Sequence, residues 1–160
     1  ELDFVDDLSP AHMTLGEYEG RNYAVPFAAE GSFLIYNTDL FTEAGLDPEN
    51  PPTTWDELLE AARAISALGD DTYGYYFPGA CAGCNAFTYL PFIWASDGDV
   101  LSADFSEPTL ADDPIVREAL ELYQTMWNEG LIPERASIDS GENFVQVHLV
   151  LIITRITTLI

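Results

Sequence analysis

Stretches of strand composition alternate along this chain with amphipathic helices, and that alternation predicts an α/β fold. Three observations carry the prediction. Phe33, Leu34, Ile35 and Tyr36 form a short apolar run of strand composition, closed by Asn37. Thr54, Trp55, Asp56 and Glu57 read as a capping box: the Thr54 hydroxyl takes an orphan backbone N–H and Glu57 reaches back. The helix it opens runs to about residue 68, with Leu58, Leu59, Ala62 and Ile65 on one face. Asp113 followed by Pro114 is an N-cap with proline at the first helical position. Behind it Ile115, Ala119, Leu122, Tyr123 and Met126 make an apolar stripe that Gly130 terminates.

A length of 160 residues, 48% hydrophobic and 21% charged, suits one globular domain with a real core. The charge departs from the norm, with 28 acids against 5 arginines, no lysine and a formal net charge of −23. Nucleic acid and anionic membrane surfaces need a basic footprint and are excluded as partners. The acids are scattered along the whole chain rather than clustered. They read as a heavily hydrated, halophile-like surface suited to high salt, with an ordinary acidic secreted protein as the alternative. No stretch has the length of a transmembrane helix. The chain opens on Glu1 without a signal peptide and reads as an internal piece of a longer protein.

The elements follow in order. Ser9-Pro10 is a helix-start signal after an acidic lead-in. Residues 20–27 alternate enough for a strand with a turn before it. After Asn37 a brief amphipathic turn carries Leu40, Phe41 and Ala44, and Gly45 stands where a helix stops. Pro48, Pro51 and Pro52 then hold the chain extended. Residues 69–71 make a turn, 73–77 a short aromatic strand ended by Pro78 and Gly79, and 86–95 a helix followed by a loop over 96–99. Residues 100–112 read as a loop with a short hairpin. Gly141 opens a further helix, and 144–160, interrupted by Gln146, His148 and Arg155 and rich in β-branched residues, suits a strand.

Several of these motifs in this order resemble the extracellular solute-binding proteins of ABC importers, of the sugar-binding, maltose-binding-like type. They are Leu34-Ile35-Tyr36-Asn37, Asp39-Leu40-Phe41, Ala44-Gly45-Leu46, the pair Pro51-Pro52, and Thr54-Trp55-Asp56-Glu57-Leu58. Gly20 with Tyr23, Val25 and Pro26, the run from Val116 to Tyr123, and Glu129-Gly130-Leu131-Ile132-Pro133 fit the same pattern. Asp97-Gly98-Asp99 stands where the family has paired glycines before an aspartate. The resemblance covers about residues 15–146. Beyond it, Val147-His148-Leu149-Val150-Leu151 replaces the expected glycine-lysine-x-alanine-methionine strand.

The resemblance implies a class II periplasmic-binding-protein-like fold, of which this chain holds mainly part of the second lobe. Residues 1–27 are then the end of the first lobe, 28–32 a hinge crossing, 33–146 the partial second lobe, and 147–160 a divergent apolar tail. The implied activity is capture of a sugar or oligosaccharide between two lobes and delivery to an ABC permease in the membrane, without a cofactor. The implied state is a monomer, extracellular or periplasmic, tethered through an N-terminus beyond this chain. Another small polar solute on the same fold is the alternative, and a carbohydrate-active enzyme domain the more distant one. An anion binder would want an arginine in its cleft, and Arg21, Arg63 and Arg117 read as surface residues.

Sugar recognition uses carboxylates and amides for vicinal hydroxyls and aromatic rings for the C–H face of a pyranose. By matched position the ligand-binding candidates are Glu30 at the interlobe crossing, Asn85 and Phe87 at the start of the cleft helix, and Trp94 further along it. Asn85 and Phe87 read equally as a cap and a core residue. Trp94, at helical spacing with Phe87, Leu90 and Pro91, also reads as packing. Trp55, Tyr23 and Tyr36 are assigned to packing. Cys81 and Cys84 form a single C-x-x-C pair before a helix, open to a disulfide, a redox pair or free thiols, and in an exported chain the short-loop disulfide is the simplest. His12 and His148 are too few and too distant to complete a zinc set with the cysteines. Asp97, Asp99 and Asp104 lack the pattern of a calcium loop. No nucleophile elbow, phosphate loop or distinguishable carboxylate pair points to catalysis.

Overall fold

A computed structural model describes residues 5–81 and 83–138, together with a strand over 151–159; residues 28–31, 85 and 151–159 are described as backbone. The chain divides into two compact units, Glu1–Ser32 with Arg155–Ile160, and Phe33–Thr154.

In the smaller unit, Pro10 opens α1 (Pro10–Met13), and the hydroxyl of Ser9 pairs with the His12 ring at 2.9 Å. A 3-10 turn over Thr14–Gly16 leads into a hairpin of β1 (Glu17–Tyr18) and β2 (Arg21–Asn22), with Glu17 opposite Asn22 and Tyr18 opposite Arg21. Its two-residue loop puts Glu19 at φ 49° and Gly20 at φ 73°, the left-handed pair that matches the twist of a tight hairpin. The strand expected over 20–27 is thus confined to 21–22. Past Asn22 one backbone bond continues, from Tyr23 N–H to the Gly16 carbonyl at 2.8 Å, and Pro26 has no N–H to extend a ladder. Tyr23 is 69% exposed, with the Tyr18 ring 6.4 Å away between centroids, which corrects its assignment to packing.

β3 (Ala28–Tyr36) pairs with β4 (Leu151–Leu159) in a two-stranded sheet. Both strands cross the boundary between the two units, at 32/33 and at 154/155. The helix expected to start at Gly141 and the tail residues 147–150 lie outside the described residues.

The larger unit holds the described core. Asn37 caps α2 (Thr38–Glu43) by accepting from the backbone of Asp39 and Leu40, and Gly45 ends it at φ 76°. The capping box at Thr54 is formed in full: Thr54 Oγ1 accepts from Glu57 N at 3.2 Å, and Glu57 Oε2 accepts from Thr53 N and Thr54 N at 2.7 and 3.1 Å. It opens α3 (Trp55–Ser66), which buries Leu58, Ala61, Ala62 and Ile65. α6 (Pro114–Asn128), capped by Asp113 Oδ1 on Ile115 N at 2.8 Å, buries Val116, Ala119, Leu122 and Met126 against α3. Gly130 ends it at φ 71°.

The strand expected over 73–77 is reduced to an isolated bridge at Tyr73. Residues 75–78 run through the core outside regular structure, with Tyr75 and Tyr76 buried, and Tyr75 N–H donates to the Leu131 carbonyl at 3.0 Å. Gly74 makes this path possible: its backbone lies directly on the backbone of Ala62 in α3, where a Cβ would collide. The helix expected over 86–95 is two short ones, α4 (Cys84–Thr88) and α5 (Leu90–Trp94), broken at Tyr89. Pro91 has no N–H to donate back into α4, so the second segment begins afresh with proline in its first turn. A single antiparallel bridge between Leu101 and Pro108 closes the 100–109 loop.

Candidate functional site

The structure places Asn85 and Phe87 on α4 and Trp94 at the end of α5, all in the larger unit. Glu30 lies in β3, within the smaller unit, and its side chain, like that of Asn85, is outside the described residues. Three of the four candidates therefore share one body, and Glu30 belongs to the other.

Two tyrosines hold the α4–α5 segment to α6. The Tyr123 hydroxyl donates to the Thr88 carbonyl at 2.7 Å, and the Tyr89 hydroxyl donates to the Val116 carbonyl at 2.9 Å. Tyr123 also sits at the centre of an aromatic cluster, edge-on to Tyr75, Tyr89 and Phe92 with ring centroids 5.5 to 6.0 Å apart. Burial pushes the phenols of Tyr75 and Tyr123 up, so both stay neutral hydrogen-bonding groups. The Tyr75 hydroxyl is buried and faces the Tyr123 hydroxyl, but makes no hydrogen bond of proper geometry among the described residues. Trp55 packs edge-on to Phe92 at 6.2 Å and Tyr36 packs at a tilt on Phe41 at 4.6 Å, the packing parts expected of both.

Trp94 is not a core residue. Its side chain is 51% exposed, and its Nε1–H donates to Asp99 Oδ1 at 3.3 Å. Asp99 Oδ1 also accepts from Val100 N at 2.7 Å, and these donors, the backbone N–H first, hold the carboxyl below its usual range. In turn Asp113 Oδ2 accepts from Asp99 N at 3.2 Å, tying the loop after α5 to the first turn of α6. Asp97 turns that loop at φ 60°, and Gly98 lies where a Cβ would press on Ile115 at 2.8 Å. The result is an anchored, half-exposed indole with an ionised carboxylate beside it. Sequence reasoning missed Asp99 as the anchor of Trp94 and Tyr89 and Tyr123 as moorings. The readable signal was the hydroxyl of Tyr123 on an otherwise apolar stripe, since a buried phenol needs an acceptor.

Cys81 and Cys84 are joined by a disulfide, with Cα atoms 5.2 Å apart, at the N-terminal edge of α4. Asp104 Oδ1 is occupied by the hydroxyls of Ser102 and Ser106 at 2.7 and 2.8 Å. Among the described residues no three His, Cys, Asp or Glu side chains stand together as a metal set. An open groove of about 440 Å³ lies between the end of α2 and the start of α3, lined in part by Leu46, Asp47, Pro52 and Glu57. None of the candidates borders it, and its Asp47 and Glu57 carboxylates already accept backbone N–H groups of their own turns. The anchored indole is the better site, because its side chain is half-exposed and held in place.

Residues 3–142 match the family described as bacterial extracellular solute-binding protein, and the chain belongs to that family. Its fold is an α/β part of the periplasmic-binding-protein architecture. A cyclic α-maltosyl-1,6-maltose binding protein from Arthrobacter globiformis superposes on 96% of this chain with TM-score 0.75 and 31% identity, over 38% of its own length. A binding protein of Brucella abortus is 34% identical over 113 residues, 71% of this chain. The sn-glycerol-3-phosphate-binding periplasmic protein of Agrobacterium fabrum is 40% identical over 57 residues, 36% of this chain and 13% of its own. The chain spans about a quarter of the length of the Brucella relative. Each of these relatives is named as a binding protein. No helix among the described residues is long and apolar enough to cross a membrane.

Proposed function

We propose that the protein carrying this chain captures a sugar or oligosaccharide between two lobes outside the cytoplasmic membrane, as a monomer, and delivers it to an ABC permease. Residues 33–146 are assigned to part of the second lobe, 1–27 to the end of the first, and 28–32, with Glu30, to the hinge crossing. The division of the chain at 32/33 supports that assignment. Capture needs no covalent chemistry. Lobe closure biased by the ligand suffices, because a ligand that binds the closed state better shifts the population toward it.

One observation carries the choice of a sugar: the half-exposed Trp94 ring, held by Asp99, offers a flat apolar face beside a charged acceptor. A pyranose presents the complement, C–H groups on one face and hydroxyls on its rim. The Agrobacterium relative favours a phosphorylated polyol as a second reading. Such a ligand calls for a cation, and the chain has no lysine; Arg21, Arg63, Arg117 and Arg135 are exposed, with Arg63 committed to Glu129 at 2.6 Å.

The test is a thermal-shift and calorimetric screen of the full-length protein against mono- and oligosaccharides, glycerol phosphate and inorganic phosphate. The expected result is a rise in Tm with one class of sugar. Glu30→Ala and Trp94→Ala each weaken binding by about tenfold or more, the range for lost charged hydrogen bonds and stacked rings. A shift with glycerol phosphate alone keeps the fold and discards the sugar. Consumption of the sugar during the assay makes the protein an enzyme.

A further inference from the structure

The Cys81–Cys84 disulfide has no part in the binding reading so far, yet it sits where the candidate ligand segment begins. α4 has five residues, and helices shorter than about 12 residues are marginal in water, so its placement depends on what moors its ends. The C-terminal end is moored to α6 by the Tyr123 hydroxyl on the Thr88 carbonyl at 2.7 Å. The N-terminal end follows a different route. Gly79 N–H donates to the carbonyl of buried Ala136 at 2.7 Å, and a Cβ on Gly79 would stand 2.9 Å from that oxygen, so the turn is seated directly on the 3-10 segment Glu134–Ile138. Cys81 N–H then donates to the Pro78 carbonyl at 3.2 Å, and the disulfide joins this seated turn to the first residue of α4. Two further described bonds at this end, Cys84 N–H to the Cys81 carbonyl at 3.1 Å and Ala86 N–H to the Gly83 carbonyl at 3.3 Å, are local to the same turn. Ala80, Gly83 and Ala86 are exposed and both cysteines are partly exposed, so a small dithiol reaches the sulfurs.

We infer that the Cys81–Cys84 disulfide is a positioning element for α4, and that reducing it loosens the segment bearing Asn85 and Phe87 and weakens ligand capture. The second half of that inference rests on the sugar-binding reading. In the reduction, a dithiol such as dithiothreitol supplies two electrons and two protons; the Sγ–Sγ bond breaks to two thiols and the reductant becomes a cyclic disulfide. The loop that the bridge closes is very short, so it restricts the unfolded chain far less than a long-range bridge would. Its effect is accordingly local to α4 rather than spread over the core.

The test uses the full-length protein in oxidised, dithiothreitol-reduced and reoxidised states, with Cys81→Ser/Cys84→Ser as a permanently open form. Two quantities are read: hydrogen–deuterium exchange at residues 84–88, and the Kd for maltose by calorimetry. The expected result is about tenfold faster exchange at 84–88, unchanged exchange in α3 and α6, and a Kd about tenfold higher, all restored on reoxidation. Equal exchange in all states overturns the inference, and so does acceleration shared by α3 and α6, which marks a general stabiliser. Faster exchange in α4 with an unchanged maltose Kd overturns its link to the site. If oxidised protein binds neither maltose nor any other sugar of the screen, the sugar reading fails, and the exchange data still decide whether the bridge positions α4.

Discussion

Tyr75 and Tyr123 show how one hydroxyl decides the value of a buried ring. Both rings lie in the same aromatic cluster 6.0 Å apart, but the Tyr123 hydroxyl donates to Thr88 and the Tyr75 hydroxyl is buried without a hydrogen bond of proper geometry among the described residues. A buried unsatisfied polar group costs about 1–3 kcal/mol, whereas a made bond contributes about 1 kcal/mol net. Tyr75→Phe should therefore leave the urea midpoint unchanged or raise it, while Tyr123→Phe should lower stability by about 1–2 kcal/mol. Equal losses from both would mean that the Tyr75 hydroxyl is satisfied in solution. Asp104 is a second test at this scale. The hydroxyls of Ser102 and Ser106 and the Ser106 N–H hold its carboxyl at about 2, below the ordinary 3.8. A depressed carboxyl contributes stability that is complete above its unfolded value and is lost as pH falls through its folded one. A carbon-13 titration should place the Asp104 midpoint near 2; a midpoint at 3.8 would show that the 102–106 loop is unformed.

At the scale of elements, the features legible in the chain were those that close within four or five residues. The Thr54 capping box, the Asp113-Pro114 start and the glycine stops at Gly45 and Gly130 all depend on local backbone geometry, and each forms as read. Thr54→Ala should cost about 1 kcal/mol, seen as a lower denaturant midpoint with an unchanged slope, because one orphan N–H of α3 loses its acceptor. Thr54→Ser, which keeps the hydroxyl, should restore most of it. Elements that depend on a distant partner were misread. Residues 73–77 have the composition of a strand, but the Tyr75 N–H goes to the Leu131 carbonyl, more than fifty residues on. The apolar spacing from Phe87 to Trp94 looked like one continuous helix, and the missing N–H of Pro91 outweighed it.

This chain as a whole carries a net charge of −23, and the described salt bridging is limited to Arg63 with Glu129. Self-repulsion on this scale opposes compaction, and salt screens it over a Debye length of about 10 Å at 0.1 M and about 3 Å at 1 M. Raising NaCl across that range should therefore raise the Tm of the full-length protein. A falling Tm would show that the single ion pair outweighs the repulsion. The described core lies in the unit Phe33–Thr154, and the unit Glu1–Ser32 with Arg155–Ile160 leaves Leu15, Tyr18, Tyr23 and Phe27 exposed. This chain by itself should accordingly bind sugar far more weakly than the full-length protein, a comparison that calorimetry makes directly. Equal affinities would place the whole binding site within these residues.

The amino-acid sequence by itself determined the capped starts of α3 and α6, the glycine stops of α2 and α6, the net negative charge and the family pattern, because each is written in residue type and short spacing. Only the tertiary structure decided that Trp94 faces outward under the hold of Asp99, that Tyr89 and Tyr123 moor α4 and α5 to α6, and that the cysteines close a bridge at the edge of α4. Those outcomes depend on which groups from remote parts of the chain arrive to accept a hydrogen bond or cover a ring. Periodicity places a side chain on a face of its own helix, but what that face meets is settled by packing.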